Sequence, residues 1–243
     1  MERPVERGFL SWFQTIFGIP LSPEKEEEPS PSPQPKPPPP VIVITPPTLE
    51  PVHPDTTFSK NNQTMLKQLQ EAYRYQAIIE DAARRYPFLR PSILCGIGSR
   101  ESHWGLALKP PGPGGRGDFA RRRPRGKRRT PIPPDGGGYG RGLMQIDYDW
   151  HNFARTNKWK NPRENVMYAC VVLNNARKFF RQRGVNLSDE QMLRAIIAAY
   201  NGGATATLKA IRAGQDIDAN TTGKDYSKDV LNRSAWFEWH GWR

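Results

Sequence analysis

The sequence predicts a mainly helical domain that is interrupted by one long, irregular, basic insert. Apolar residues recur at three- and four-residue steps from Ser59 to Tyr86, and helical periodicity resumes after Asp147. Between these regions, residues 106–142 are rich in glycine, proline and cations and show no helical period. No internal repeat is visible, so we expect one folded domain rather than an array.

The first 57 residues differ in composition from the rest of the 243-residue chain. Residues 1–21 contain the short aromatic stretch 8–20, which lacks the positive start and the cleavage site of a secretory signal. We interpret it either as an amphipathic segment that docks to a membrane or a protein, or as a frayed terminus. Residues 22–57 contain thirteen of the 25 prolines and are predicted to form an extended linker. The folded domain therefore spans residues 58–243.

Start and stop signals place the helices in order. The first helix is predicted over residues 59–86, since Pro87 ends the periodic pattern, and the second over residues 91–103. Ser188 and Gln191 have the spacing of a capping box at a later helix start. Four helices are expected after the insert, at about residues 163–183, 188–200, 204–213 and 225–239.

The charge of the chain is unevenly distributed. The net charge is +12, and the acidic linker means that residues 58–243 carry more than this total. A domain this basic is typical of proteins that meet polyanions. Seven cations lie within Arg121–Arg129, which is either a solvated insertion or a surface for anionic cell-wall polymers. No zinc-finger or RNA-binding signature accompanies it, so no specific nucleic acid partner is expected.

The cysteines and histidines argue against a metal site. Two cysteines exclude a disulfide framework and a four-cysteine zinc site. Cys95 and Cys170 occupy apolar positions of predicted helices, so we expect buried free thiols. The four histidines have no metal-ligand spacing. We therefore expect neither a metal nor another cofactor.

One carboxylate lies on an apolar helix face. Ile93, Ile97 and Glu101 are spaced four residues apart, so a helix places them in one stripe. Burial there disfavours the ionised carboxylate and raises its pKa, which is the property that a general acid requires. The alternative is a glutamate near a helix end that forms an ion pair with Arg100.

Two further segments have unusual local composition. Glycines crowd the stretch before Leu143, which indicates positive φ angles or close approach to other groups. Tyr200 and Asn201 end a helix whose Ile196 and Ile197 are apolar, so their polar groups are expected at a rim. Each segment alone is a weak signal.

Together these segments resemble the signature motifs of lytic transglycosylases and goose-type lysozymes. The motifs are Glu101-Ser102, Gly142-Leu-Met-Gln145 and Ala199-Tyr-Asn201, in that order. The resemblance to goose-type lysozymes extends further and covers roughly residues 60–243. It includes Asp147, His151, the tail Asp225–Arg233 and the terminal His240-Gly-Trp242. It implies a lysozyme-like fold, with helices around a small β-hairpin region, and cleavage of the β-1,4 bond between N-acetylmuramic acid and N-acetylglucosamine in peptidoglycan.

The resemblance also assigns roles to individual residues. Glu101 matches the catalytic acid, and Asp147 matches one of two aspartates that hold the attacking water. The second aspartate is expected before Gly142, where Asp135 is the nearest candidate but is one residue away from the family spacing. The segment between Glu101 and Gly142 is longer than usual, and Asp118 is the competing candidate. The positions that contact substrate or shape the cleft are Met144, Gln145, His151, Tyr200, Asn201 and Tyr226.

Asp147 favours hydrolysis over the alternative reaction. An inverting glycosidase uses an acid and a separate carboxylate that activates water. A lytic transglycosylase needs no such water, because one glutamate acts as acid and then as base while the sugar closes a 1,6-anhydro ring. Two non-catalytic alternatives are a glycan-binding module and a docked structural component, as in a phage particle. We expect a monomer that acts in the cell envelope or outside the cell, and phage lysis is a further possible setting.

Overall fold

The computed structural model describes residues 56–120 and 133–243. The aromatic segment 8–20, nearly all of the proline-rich linker and the basic run Arg121–Arg129 lie outside the described residues. What the sequence suggests for them stays a prediction.

The described residues form a mainly helical domain with one small sheet, as predicted. The α-helices are α1 (Gln63–Tyr73), α2 (Gln76–Arg85), α3 (Pro91–Ser102), α4 (Pro162–Gln182), α5 (Asp189–Gly202), α6 (Ala204–Arg212) and α7 (Tyr226–Trp239). The strands are β1 (Arg116–Gly117), β2 (Gly140–Arg141) and β3 (Ile146–Asp147), and three short 3₁₀-helices lie at Asn152–Arg155, Lys158–Lys160 and Thr222–Lys224.

The sheet is antiparallel in the order β1-β2-β3. Gly117 lies opposite Gly140, which in turn lies opposite Asp147 on β3. The segment 118–139 therefore joins two neighbouring antiparallel strands and is a long hairpin connection. The predicted β-hairpin region is confirmed, and both β1 and β2 lie within the predicted insert 106–142.

Helix α3 lies in the core and packs closely on α7. Ile93, Leu94 and Ile97 of α3 are fully buried. A Cβ atom at Gly96 would meet the carbonyl oxygen of Val230 and the Ser234 hydroxyl, so the two backbones approach more closely than a larger residue allows. The site described below depends on this contact, because both helices contribute side chains to it. Cys95 and Cys170 are buried free thiols, as predicted.

The prediction of one helix over residues 59–86 is wrong, because the segment forms two helices. The break is at Tyr75, whose φ of −112° and ψ of 13° are not helical. Its ring is buried and stacks on Trp104, with 5.8 Å between ring centroids. Burial of this aromatic pair accompanies the break between α1 and α2. No glycine or proline marks this break in the sequence. The other helices and the capping box at Ser188 agree with prediction to within a few residues.

Candidate functional site

Glu101 lies in the last turn of α3, which ends at His103 with a left-handed φ of 50°. Its side chain is partly buried, and the Tyr226 hydroxyl of α7 donates a hydrogen bond to Glu101 Oε1. Burial raises the pKa of Glu101 to about 7; the negative charge of Asp118 adds to the rise, while Tyr226 and Arg100 oppose it. Glu101 therefore holds its proton close to neutral pH.

Arg100 does not pair with its neighbour in the sequence. Among the described residues its guanidinium donates to Asp229 at 2.7 Å and to Asp225 at 3.1 Å. The alternative reading of Glu101 as the partner of Arg100 is thus not the arrangement that the structure shows.

The glycine-rich segment is fastened to α3 and α4 by buried polar side chains. Ser102 donates to the Leu143 carbonyl oxygen at 2.6 Å. Asn165 accepts from the Met144 amide at 2.8 Å and donates to the Arg141 carbonyl oxygen at 3.0 Å. Gly142 has a φ of 70°, and a Cβ atom there would collide with the Asn165 side chain. These bonds fix the loop relative to Glu101.

Asn165 was not among the residues that the sequence singled out. It is fully buried in α4, four and eight residues before Ala169 and Leu173. A polar residue in an apolar stripe is the same signal that identified Glu101, and it could have identified Asn165.

Gln145 lies against the glycines of the sheet. Its backbone has a φ of 48°, and its Nε2 donates to the Gly142 carbonyl oxygen at 2.8 Å. Cβ atoms at Gly117 or Gly140 would collide with its side-chain oxygen. Close approach of Gln145 therefore explains glycine at both positions, in agreement with the sequence interpretation.

The three candidate aspartates lie in different surroundings. Asp118 follows β1, and its carbonyl oxygen accepts from the Tyr139 amide at 2.8 Å. Its negative charge contributes to the raised Glu101 pKa, but less than burial, which is the main cause. Asp147 on β3 accepts from the amides of Asp149 at 2.8 Å and Trp150 at 3.3 Å. The structure thus brings Asp118 into electrostatic range of the buried acid.

Asp135 faces two arginines instead. It accepts from Arg141 at 2.9 Å and from the Gly137 amide at 3.1 Å, and Arg116 lies 3.8 Å away. Partial burial works to raise its pKa, but these contacts outweigh burial and hold the pKa below the usual value. Arg141 is itself fully buried, over the ring of Tyr148 at 4.8 Å.

The predicted substrate contacts divide into two groups. Tyr200 donates to the Met144 carbonyl oxygen at 2.7 Å, and its pKa is raised by burial and by the nearby charge of Glu101. Tyr226 and Tyr200 thus both lie beside the acid. The Met144 side chain is fully buried, so only its backbone takes part in these contacts.

Asn201 and His151 contact other parts of the domain. Asn201 is exposed and accepts from the Thr222 amide at 2.8 Å. His151 Nδ1 is 3.2 Å from the Tyr168 hydroxyl oxygen, and burial lowers the His151 pKa. Among the described residues no three His, Cys, Asp or Glu side chains gather as metal ligands. No helix of the same residues has the length and hydropathy to cross a bilayer.

Comparison with known proteins gives a consistent result. A family model described as Lysozyme g matches residues 133–241, which begin within the insert and exclude Glu101. A Lysozyme g from Struthio camelus is 30% identical over 176 residues, which is 72% of each chain. One from Casuarius casuarius is 29% identical over 174 residues, covering 72% of this chain and 78% of the relative. A fish protein of the same name, from Takifugu rubripes, is 29% identical over 164 residues.

Proposed function

Because the chain belongs to the goose-type lysozyme family and is a glycoside hydrolase of that type, we propose that it hydrolyses peptidoglycan at the β-1,4 bond between N-acetylmuramic acid and N-acetylglucosamine. The observation that carries the proposal is a partly buried glutamic acid that keeps its proton close to neutral pH, with the charge of Asp118 adding slightly to the raised pKa. These are the two groups that inverting hydrolysis of a glycosidic bond requires.

Glu101 acts as the general acid. It protonates the bridging oxygen as the bond to the leaving sugar breaks, which avoids expulsion of an alkoxide. The pKa of about 7 keeps Glu101 about half protonated at neutral pH and largely protonated in mildly acidic solution. Tyr226 directs the carboxyl group, because its hydroxyl is bonded to Oε1.

Asp118 and Asp147 act on the opposite side of the sugar. The water that attacks the anomeric carbon loses its proton to one carboxylate, and the other helps to orient it. In inverting glycosidases, acid and base carboxyls lie roughly 6.5–9.5 Å apart, which leaves room for this water. Asp118 is favoured over Asp135 because its charge acts on Glu101, whereas Asp135 is engaged by Arg141 and Arg116.

The remaining candidate residues shape the cleft around the acid. Tyr200 fixes the loop backbone at Met144, and Gln145 lies over the strand glycines. Asn201 and His151 offer an amide and an imidazole to sugar hydroxyl and acetamido groups. Because peptidoglycan is the substrate, we place the enzyme in the cell envelope or outside the cell. Its proposed partners are the glycan and, at Arg121–Arg129, anionic wall polymers.

Digestion of purified peptidoglycan by the full chain, followed by mass spectrometry, tests this proposal. We expect products with reducing N-acetylmuramic acid ends and, by NMR, an initial anomeric configuration opposite to that of the substrate. Products with 1,6-anhydro ends would instead identify a lytic transglycosylase. Binding of glycan with no product of either kind would identify a glycan-binding module.

A further inference from the structure

The arginine beside the proposed acid is held in a chain of ion pairs. Arg100 donates to Asp229 Oδ2 at 2.7 Å and to Asp225 Oδ1 at 3.1 Å. The same Asp229 oxygen accepts from Arg233 Nε at 2.7 Å. The Arg100 and Asp229 side chains are only 25% and 17% exposed, so solvent screens this pairing less than it screens an open surface pair.

The chain of contacts extends through three helices. Arg233 also donates to the Ser99 hydroxyl at 3.0 Å, and Ser99 donates to Gln68 at 2.5 Å. Residues of α1, α3 and α7 are thereby joined by hydrogen bonds. The Arg100 guanidinium lies over the ring of Tyr226, 5.8 Å from its centroid, and the hydroxyl of that ring is bonded to Glu101. The position of Arg100 is therefore set by two carboxylates and one aromatic face.

The position of this cation matters because few other charges act on the acid. The groups that face Glu101 from other elements are the Tyr226 hydroxyl of α7, Tyr200 of α5 and the Asp118 carboxylate after β1. Among the described residues, Arg100 is the cation that acts on Glu101, and its charge favours the ionised form. A guanidinium that approached the carboxyl more closely would remove the proton that a general acid must hold.

We propose that Asp225 and Asp229 are positioning residues whose ion pairs keep Arg100 over the Tyr226 ring and away from the Glu101 carboxyl, so that the acid retains its proton. The Asp225 and Asp229 carboxylates also partly neutralise the positive charge of Arg100 in this position. This inference rests on the proposed function for its biological meaning, but it concerns the titration of one side chain and is measurable without substrate.

The test is a ¹³C NMR titration of the side-chain carboxyls in the full chain labelled at glutamate, with Glu101 assigned by its loss in the Glu101→Gln variant. In the double variant Asp225→Asn with Asp229→Asn, the Glu101 pKa is expected to fall by about 1 pH unit, because a released arginine stabilises the carboxylate. Adding Arg100→Gln to that double variant removes the cation and is expected to restore the midpoint to the wild-type value or above it.

A matched control removes a paired carboxylate from the other end of α7. Glu238 accepts from Arg90 at 3.3 Å, and Glu238→Gln is expected to leave the Glu101 midpoint unchanged. Should the double variant fail to fold, Asp225→Asn alone is expected to lower the midpoint by a smaller amount, because this side chain is 53% exposed and tolerates the change.

Two results would overturn the inference. One is an unchanged Glu101 midpoint in a folded double variant, even if its melting temperature falls, because that pattern belongs to a purely structural role. The other is a lowered midpoint that persists after Arg100→Gln. Failure of the proposed function would look different. The wild-type chain would then release no sugar from peptidoglycan, but the Glu101 pKa could still be measured by NMR and compared between variants.

Discussion

The carboxyl groups of Glu101 and Asp135 have opposite surroundings. Glu101 follows an arginine in the sequence, yet that arginine pairs with Asp225 and Asp229, and burial raises the Glu101 pKa to about 7. Asp135 has no basic neighbour in the sequence, yet Arg116 and Arg141 face it and its pKa lies below the usual value. The neighbouring residues in the sequence therefore give the wrong surroundings for both carboxyl groups, because the charged partners come from other helices and strands.

The difference separates a chemical role from a structural one. A carboxylic acid without a paired cation is able to give up a proton during a reaction. A carboxylate paired to a buried guanidinium compensates a charge that would be costly to leave alone. We therefore expect changes at Glu101 to affect turnover and changes at Asp135 to affect stability.

The largest effect is expected for Glu101→Gln. Loss of the general acid should lower the rate of reducing-end release from peptidoglycan by about 10²–10⁴-fold, with an unchanged circular dichroism spectrum. Glu190→Gln, at an exposed position of α5, serves as the matched control and should keep the wild-type rate. Comparable rates in the two variants would remove Glu101 from the reaction.

The same substitution should stabilise the fold at high pH. The Glu101 pKa is raised in the folded state, so its contribution to stability is fully present below about pH 4.5 and is lost as the pH rises to about 7. Above pH 7 the ionised form costs roughly 3 kcal/mol. Urea unfolding of Glu101→Gln and wild type at pH 4.5 and 8 measures this; a constant difference between the two proteins would contradict it.

A smaller loss of activity is expected for Asp118→Asn. Without the carboxylate the attacking water is less activated, and turnover should fall by about 10–100-fold while the fold persists. The Glu101 pKa should also fall, because the charge of Asp118 helps to raise it. Asp135→Asn is the comparison, and a greater loss of turnover there than in Asp118→Asn would reverse the assignment of the second carboxylate.

The smallest effect is expected for the stability of Asp135→Asn. Arg141 is fully buried and would lose its charged partner, but Asp135 is 42% exposed, so water compensates in part. We expect a loss of about 1–2 kcal/mol in the free energy of unfolding. Chemical denaturation at neutral pH measures it. An unchanged unfolding midpoint together with lost turnover would show that Asp135 acts in the reaction and does not stabilise the fold through Arg141.

Local sequence patterns were sufficient for most of the fold. The capping box at Ser188 and Pro91 at the start of α3 mark helix ends, because capping depends on a few neighbouring residues. The break at Tyr75 was not predictable, since it accompanies stacking on Trp104, which is far away in the sequence. Trp104 is itself buried in the core.

The candidate site was predictable where it depends on helix periodicity. Glu101 was found from its stripe, whereas the choice between Asp118 and Asp135 depends on which residues pair in strands of two residues. Strands of two residues are too short to show the alternation of buried and exposed side chains from which strand register is predicted. Counting back from Gly142 favours Asp135, whereas Asp118 becomes a candidate through the strand pairing, because it directly follows Gly117, which lies opposite Gly140.

The most direct test of the protonated acid at Glu101 is the pH dependence of kcat/KM for the full chain on soluble peptidoglycan fragments. The alkaline limb reports the pKa of the essential acid in the free enzyme. We expect it near pH 7, and we expect the residual activity of Glu101→Gln to lack it. An alkaline limb near pH 4.5, or one that survives in Glu101→Gln, would contradict the assignment of Glu101 as the proton donor.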